Sequence, residues 1–138
     1  MKYLCLAFTL LLASCASHYD SAGNYDDYQL SPAQAATVVS DITAELGKRY
    51  PARTIFSFPH DDKNPLSASL EASIRSAGMG ISEANTPGYH RLTYRLERFN
   101  EHQFIVVITV NQRSFQMIWS DDDNALARLK TVTQYEGP

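Results

Sequence analysis

Three stretches of this 138-residue chain hold side chains that can do chemistry. His60-Asp61-Asp62 places an imidazole beside two carboxylates, which suits acid–base catalysis or metal binding. We interpret it as a solvated polar loop, with a metal or acid–base role as the alternative.

Asp121-Asp122-Asp123 suggests a calcium site. An EF-hand loop, however, needs glycine at its sixth position and glutamate at its twelfth, where this chain has Leu126 and Val132. We interpret that run as a solvated turn. The third stretch ends at Cys15.

Cys15 closes a segment built like a secretory signal peptide. Met1-Lys2 supplies a short positive start, and Tyr3–Leu12 is an uncharged, apolar run of about ten residues. The small residues Ala13 and Ser14 stand just before the cysteine, as signal processing requires. A run this short does not form a membrane-spanning helix, which needs about 20 residues.

Leu12-Ala13-Ser14-Cys15 resembles the lipobox of bacterial lipoproteins. The resemblance implies cleavage before Cys15, a diacylglycerol on its sulfur and a palmitoyl group on its new amine. Three acyl chains would make attachment effectively permanent. Ala16, rather than an aspartate, follows the cysteine, which by the same resemblance implies the outer membrane, facing the periplasm. A plain cleaved signal peptide and an uncleaved anchor are the alternatives.

The composition argues against several classes of function. Twelve basic and fifteen acidic residues give a net charge of −3, and removal of Lys2 leaves eleven basic residues. A nucleic-acid surface needs a concentrated positive patch, so no such partner is expected. The chain also lacks the serine-hydrolase, zinc-protease and phosphate-loop motifs. We therefore expect no enzyme activity, no cofactor, no metal site and no small-molecule substrate.

The chain divides into three parts: a signal peptide over residues 1–14, an acylated flexible tether over 15–30 and one small domain over 31–138. Ala16–Leu30 is polar and nearly free of aliphatic residues, so it is not expected to bury itself. The tether carries three tyrosines between aspartates. The alternative is that this segment becomes ordered on a partner, for example along a strand edge.

Two helices are predicted in the domain. Ser31-Pro32-Ala33-Gln34 is a capping box with proline at the first helical position, and Gly47 marks the exit. Asn64-Pro65 starts the second helix, and Gly78 ends it. Their apolar residues recur at three and four, as in an amphipathic helix: Val38, Val39, Ile42 and Leu46 in the first, and Leu66, Leu70 and Ile74 in the second.

The remaining elements are predicted strands. They cover Thr54–Phe58, Met79–Ser82, a segment from His90, Phe104–Val110 and Ser114–Trp119, with Phe115, Met117 and Trp119 expected in the core. Ala125–Lys130 is interpreted as one helical turn and Thr131–Tyr135 as an edge strand. The fold class is therefore α+β, with two helices packed on one face of a mainly antiparallel sheet.

Several segments resemble the TrbH family, small lipoproteins encoded among the mating-pair-formation proteins of conjugative plasmids. The similar segments are Tyr50-Pro51-Ala52-Arg53-Thr54, Leu66 to Gly78, Leu92-Thr93-Tyr94-Arg95-Leu96, Phe104–Asn111 and Ser114-Phe115. The resemblance implies a component of a type IV secretion system that anchors and stabilises the larger subunits of its core complex. It brings no catalytic residues, and only Cys15 acquires a defined role.

The leading hypothesis is therefore a lipid-anchored structural component of a conjugative type IV secretion apparatus, needed for plasmid transfer. Its expected partners are the membrane, through the lipid anchor, and the larger core-complex subunits. The alternative is another envelope-assembly or entry-exclusion lipoprotein, which binds an outer-membrane or cell-wall partner. A hydrolase that uses the loop at His60 is the third hypothesis.

Overall fold

The computed structural model describes residues 18–122, 125–129 and 133–136. The predicted signal peptide and Cys15 lie outside these residues. The described part contains helices α1 (Pro32–Arg49) and α2 (Pro65–Ser76) and eight strands. The strands are β1 (Tyr25–Asp26), β2 (Ile55–Ser57), β3 (Gly80–Ser82), β4 (His90–Asn100), β5 (Gln103–Val110), β6 (Arg113–Asp122), β7 (Ala125–Arg128) and β8 (Thr133–Glu136).

Both helices begin at the predicted caps. The Ser31 hydroxyl accepts a hydrogen bond from the Gln34 amide at 3.2 Å, and the Gln34 side chain accepts one from the Ser31 amide at 3.0 Å. This reciprocal pair satisfies two amide groups that the first turn leaves free. The Asn64 side chain accepts from the amides of Leu66 and Ser67 in the same way. Gly47 does not end α1, which continues for two residues to Arg49.

The sheet runs in the order β3-β2-β4-β5-β6-β7. Strands β4 to β7 form an antiparallel meander, while β2 pairs in parallel with both β3 and β4. The inward face of the meander is apolar and packs with the helix stripes in one buried cluster. Its members include Leu92, Tyr94, Leu96, Phe104, Val106, Ile108, Phe115, Met117 and Trp119. The predicted α+β fold class and this core are confirmed.

The segment expected to be a flexible tether is largely part of the fold. Strand β1 pairs in parallel with β4, with Tyr25 opposite Arg95, and Asn24, Tyr28 and Leu30 are buried. The Tyr28 hydroxyl donates to Asp121 at the end of β6 over 3.0 Å. The tether assignment is therefore wrong for residues 18–30, because a few buried groups and edge hydrogen bonds order a segment of polar composition. Residues 15–17 lie outside the described part.

The end of the chain also differs from its prediction. Ala125–Arg128 forms strand β7 rather than a helical turn, and it pairs with the end of β6. The predicted edge strand exists as β8, which pairs with the beginning of β6. Of the expected acidic turn, Asp121 and Asp122 belong to β6 and Asp123 lies outside the described residues. The described residues contain no helix with both the length and the apolar composition needed to cross a membrane.

Candidate functional site

The loop that carries His60 follows β2 and turns its imidazole inward. The His60 side chain is only 1% exposed and stacks on the Phe58 ring, with 4.5 Å between the ring centroids. A solvated loop, as the sequence suggested, does not bury its histidine in this way. The adjacent Asp61 caps the turn, since its carboxylate accepts from the Lys63 amide at 3.0 Å.

A backbone contact fixes which His60 nitrogen carries hydrogen. Nδ1 lies 2.8 Å from the carbonyl oxygen of Phe58. A carbonyl oxygen only accepts, so Nδ1 is the donor, and in the neutral ring Nε2 presents its lone pair. That Nε2 lies 2.9 Å from Asp62 Oδ1 and 2.9 Å from Glu71 Oε2. A buried imidazole nitrogen therefore faces two acidic side chains.

Glu71 and Glu83 complete this group, which we call the His60 cluster: His60, Asp62, Glu71 and Glu83. One ligand atom from each member lies within 4.8 Å of those of the other three. Glu71 lies in the middle of α2, and Glu83 follows β3 directly. Sequence reasoning missed both glutamates, because they are separated from His60 along the chain and neither belongs to a recognisable motif.

Topology explains how these distant residues meet. Strands β2 and β3 are parallel neighbours, with Phe56 opposite Ile81, and α2 is the crossover between them. The loops after two parallel strands leave the same edge of the sheet, which is where α/β proteins commonly bind ligands. His60 and Asp62 come from the first loop and Glu83 from the second.

Arg75 holds Glu71 in place from the other side. Its guanidinium donates to Glu71 Oε1 at 2.9 and 3.0 Å and to the carbonyl oxygen of Ile81 at 3.1 Å. Burial alone would raise the pKa of Glu71, but the Arg75 hydrogen bonds and the facing His60 lower it below its ordinary value of 4.5. Glu71 is thus an anion whose Oε2 remains directed at His60.

The other candidate residues are in different places. Asp121 accepts hydrogen bonds from the Tyr28 hydroxyl and from the Gln34 side chain, both at 3.0 Å, so it connects β6 to α1 and to the N-terminal segment. His102 lies exposed in the turn between β4 and β5. His90 contacts the Asn111 side chain at 3.1 Å. Within the described residues, the structure brings only His60 and Asp62 of the sequence candidates into one chemical cluster.

Comparison with known proteins identifies the family. A family model described as conjugal transfer protein TrbH matches residues 16–134. The match spans well over half of the chain, so this chain belongs to the TrbH family of conjugal transfer proteins, and the predicted resemblance is confirmed. No curated protein and no solved structure matches the chain. The family description names a role in conjugal transfer and no reaction.

Proposed function

We propose that this protein is a lipid-anchored structural component of a conjugative type IV secretion apparatus. The family match over residues 16–134 carries the conjugal part of the proposal. The anchoring part rests on Leu12-Ala13-Ser14-Cys15, in which Cys15 receives the diacylglycerol and the palmitoyl group. Ala16 favours the outer membrane, with the domain in the periplasm.

The packed N-terminal segment makes this anchor short. Only residues 16 and 17 separate Cys15 from His18, the first described residue, and three Cα–Cα steps span at most about 11 Å. A flexible tether of fifteen residues would instead span roughly 20 Å. An acylated Cys15 would therefore hold the domain against the membrane surface, and partner subunits would meet it there.

Structural anchoring is favoured over a hydrolase that acts at His60. In the described residues the histidine and its carboxylates have no serine, threonine or cysteine nucleophile bonded to them. The apparatus role needs a stable domain, a membrane attachment and a docking surface. The continuous core of this chain supplies the stable domain. The partners proposed are the larger subunits of the secretion core complex.

Metabolic labelling tests the anchor. Cells that express the full chain are grown with labelled palmitate, and the protein is isolated and assayed for incorporated label. We expect label in the wild type and none in Cys15→Ser. Cys5→Ser, which changes the other cysteine, is the matched control and should retain the label. Equal labelling of Cys15→Ser and wild type would refute the lipid anchor.

A further inference from the structure

We infer that the His60 cluster binds a divalent transition-metal ion of the zinc type. The inference is independent of lipidation and of the secretion partner. It starts from two separate observations: four ligand-type side chains converge from three segments, and a buried imidazole nitrogen is directed into their midst.

The environment of His60 Nε2 is the first argument. Among the described residues this nitrogen is buried and makes no hydrogen bond, although Asp62 and Glu71 oxygens lie 2.9 Å away. The two carboxylates lie close enough for ion pairing but off the direction in which a ring N–H would point. Because Nδ1 donates to the Phe58 carbonyl, the nitrogen left to bind a cation is Nε2, which lies among the carboxylate oxygens. A metal ion bound there would give this buried nitrogen a partner and would offset the negative charge of the carboxylates.

The supporting contacts are the second argument. Metal-binding histidines usually donate their other ring nitrogen to a carbonyl or carboxylate, which fixes the tautomer and the ring plane. His60 has this support from the Phe58 carbonyl and further support from the stacked Phe58 ring. Glu71 is supported likewise, because Arg75 occupies Oε1 and leaves Oε2 to face the cluster. Two of the four ligands are thus held in position.

The distances suit a small ion. Four ligands at about 2.0–2.2 Å from a tetrahedral zinc stand roughly 3.3–3.6 Å from each other. The cluster's separations lie on both sides of that value, from 2.9 Å to no more than 4.8 Å. Asp62, 76% exposed, and the exposed Glu83 have the freedom to close on the ion. One imidazole with three carboxylates favours zinc or manganese over magnesium, since imidazole is the softer ligand.

Such an ion would brace the fold. It would join the loop after β2, helix α2 and the loop after β3, which belong to the parallel part of the sheet. With four protein ligands the site resembles a closed structural site, not a catalytic one. The bound ion would therefore add to stability by binding the folded state alone.

Calorimetry with Zn²⁺ alone tests the inference. The full chain is purified in detergent, stripped with a chelator and titrated with zinc chloride. We expect one Zn²⁺ per chain and a higher midpoint of thermal unfolding with zinc. X-ray absorption should show only nitrogen and oxygen neighbours at about 2.0–2.2 Å, one of them from an imidazole. Sulfur at about 2.3 Å would assign the binding to a cysteine and overturn the inference.

Variants assign the ligands. His60→Ala removes a buried ligand and Glu71→Gln a partly buried one. Glu83→Gln removes an exposed one and should leave the fold intact. We expect each to bind Zn²⁺ roughly tenfold or more weakly, because losing a group that only supports a ligand already costs about 10–100-fold. The matched controls are Glu101→Gln and His102→Gln, both exposed in the β4–β5 turn. Absence of zinc binding, or equal binding by Glu83→Gln and the controls, would overturn the inference.

Discussion

Asn24 is one of the residues that link the N-terminal segment to the domain. Its side-chain amide donates to Asp20 at 2.9 Å and to the carbonyl oxygen of Pro59 at 3.1 Å, and its oxygen accepts from the Tyr94 amide at 3.1 Å. The hydrogen bond from Tyr94 satisfies a backbone amide of β4 that pairs with neither β2 nor β1, because Tyr94 lies between the residues that pair with those two strands. At 2% exposed, Asn24 is among the few buried polar residues.

Replacing Asn24 should therefore cost stability. Asn24→Ala leaves the Tyr94 amide without its acceptor, and a buried unsatisfied group costs about 1–3 kcal/mol. Urea unfolding of the variant and the wild type measures the difference. Asn85→Ala, at an exposed loop position, is the matched control and should unfold as the wild type does. Loss of less than about 0.5 kcal/mol in Asn24→Ala would show that these bonds do not hold the segment.

Glu45 supplies a second prediction at this scale, one that depends on pH. Its side chain is largely buried and accepts from Lys48 at 3.0 Å and from Arg49 at 2.6 Å. Burial raises its pKa, but the hydrogen bonds and charges of Lys48 and Arg49 outweigh burial, so the pKa lies below its ordinary value of 4.5. A lowered pKa stabilises the fold above pH 4.5, and this contribution is lost as the pH falls through the folded-state value.

Glu45→Gln should therefore lose less stability on acidification than the wild type. Urea midpoints are measured at neutral pH and at a pH below the ordinary glutamate value, and the two differences are compared. The effect is modest, because Lys48 is 67% exposed and such pairs contribute little. Glu101→Gln serves as the control. An equal loss in Glu45→Gln and the wild type would contradict the assigned role.

At the scale of elements, strand β1 shows how little backbone pairing is needed to order a polar segment. The Asp27 amide donates to the Leu96 carbonyl at 2.8 Å, next to the two residue pairs of the strand. Side chains then hold both ends of the segment: Asn24 before the strand and the buried Tyr28 after it. The ring centroids of Tyr28 and Phe104 lie 4.6 Å apart.

Hydrogen exchange tests this docking directly. The Asp27 amide should exchange far more slowly than the intrinsic rate of an unstructured chain, since it is bonded to the sheet. In Asn24→Ala its protection should fall more than that of central β5 amides, which serve as the internal reference. Exchange of the Asp27 amide at the rate of an unstructured chain in the wild type would instead support the prediction of a flexible tether.

The sequence predicts those elements that carry strong local signals. The caps at Ser31 and Asn64 place both helix starts. Alternating apolar residues place β4 and β6, and a run that is apolar on both faces places β5. Strand β1 has two residues and no apolar pattern, so only tertiary contacts define it. The sequence does not distinguish a strand from a helical turn at β7, because four residues cannot show a period, and pairing with β6 decides its form. Only His60 and Asp62 of the His60 cluster can be recognised in the sequence, because its two glutamates come from other elements.

At the scale of the whole molecule, one core runs through both parts of the mixed sheet. The antiparallel meander and the parallel unit of β2, α2 and β3 both contribute residues to it, and the parallel unit also carries the His60 cluster at its edge. The N-terminal segment runs along β4 between these parts, and it leads back toward Cys15. If Cys15 is acylated as proposed, this arrangement would place the domain close to the membrane.

Plasmid transfer from donors with Cys15→Ser tests whether lipid anchorage is the basis of the protein's function. The altered gene replaces the original on the conjugative plasmid, and transconjugants per donor are counted, with protein levels checked by immunoblot. Cys5→Ser is the control and should transfer as the wild type does. We predict that Cys15→Ser lowers transfer by at least an order of magnitude at an equal protein level, because this variant lacks the proposed permanent anchor. Transfer at the wild-type frequency would contradict anchorage as the basis of its function.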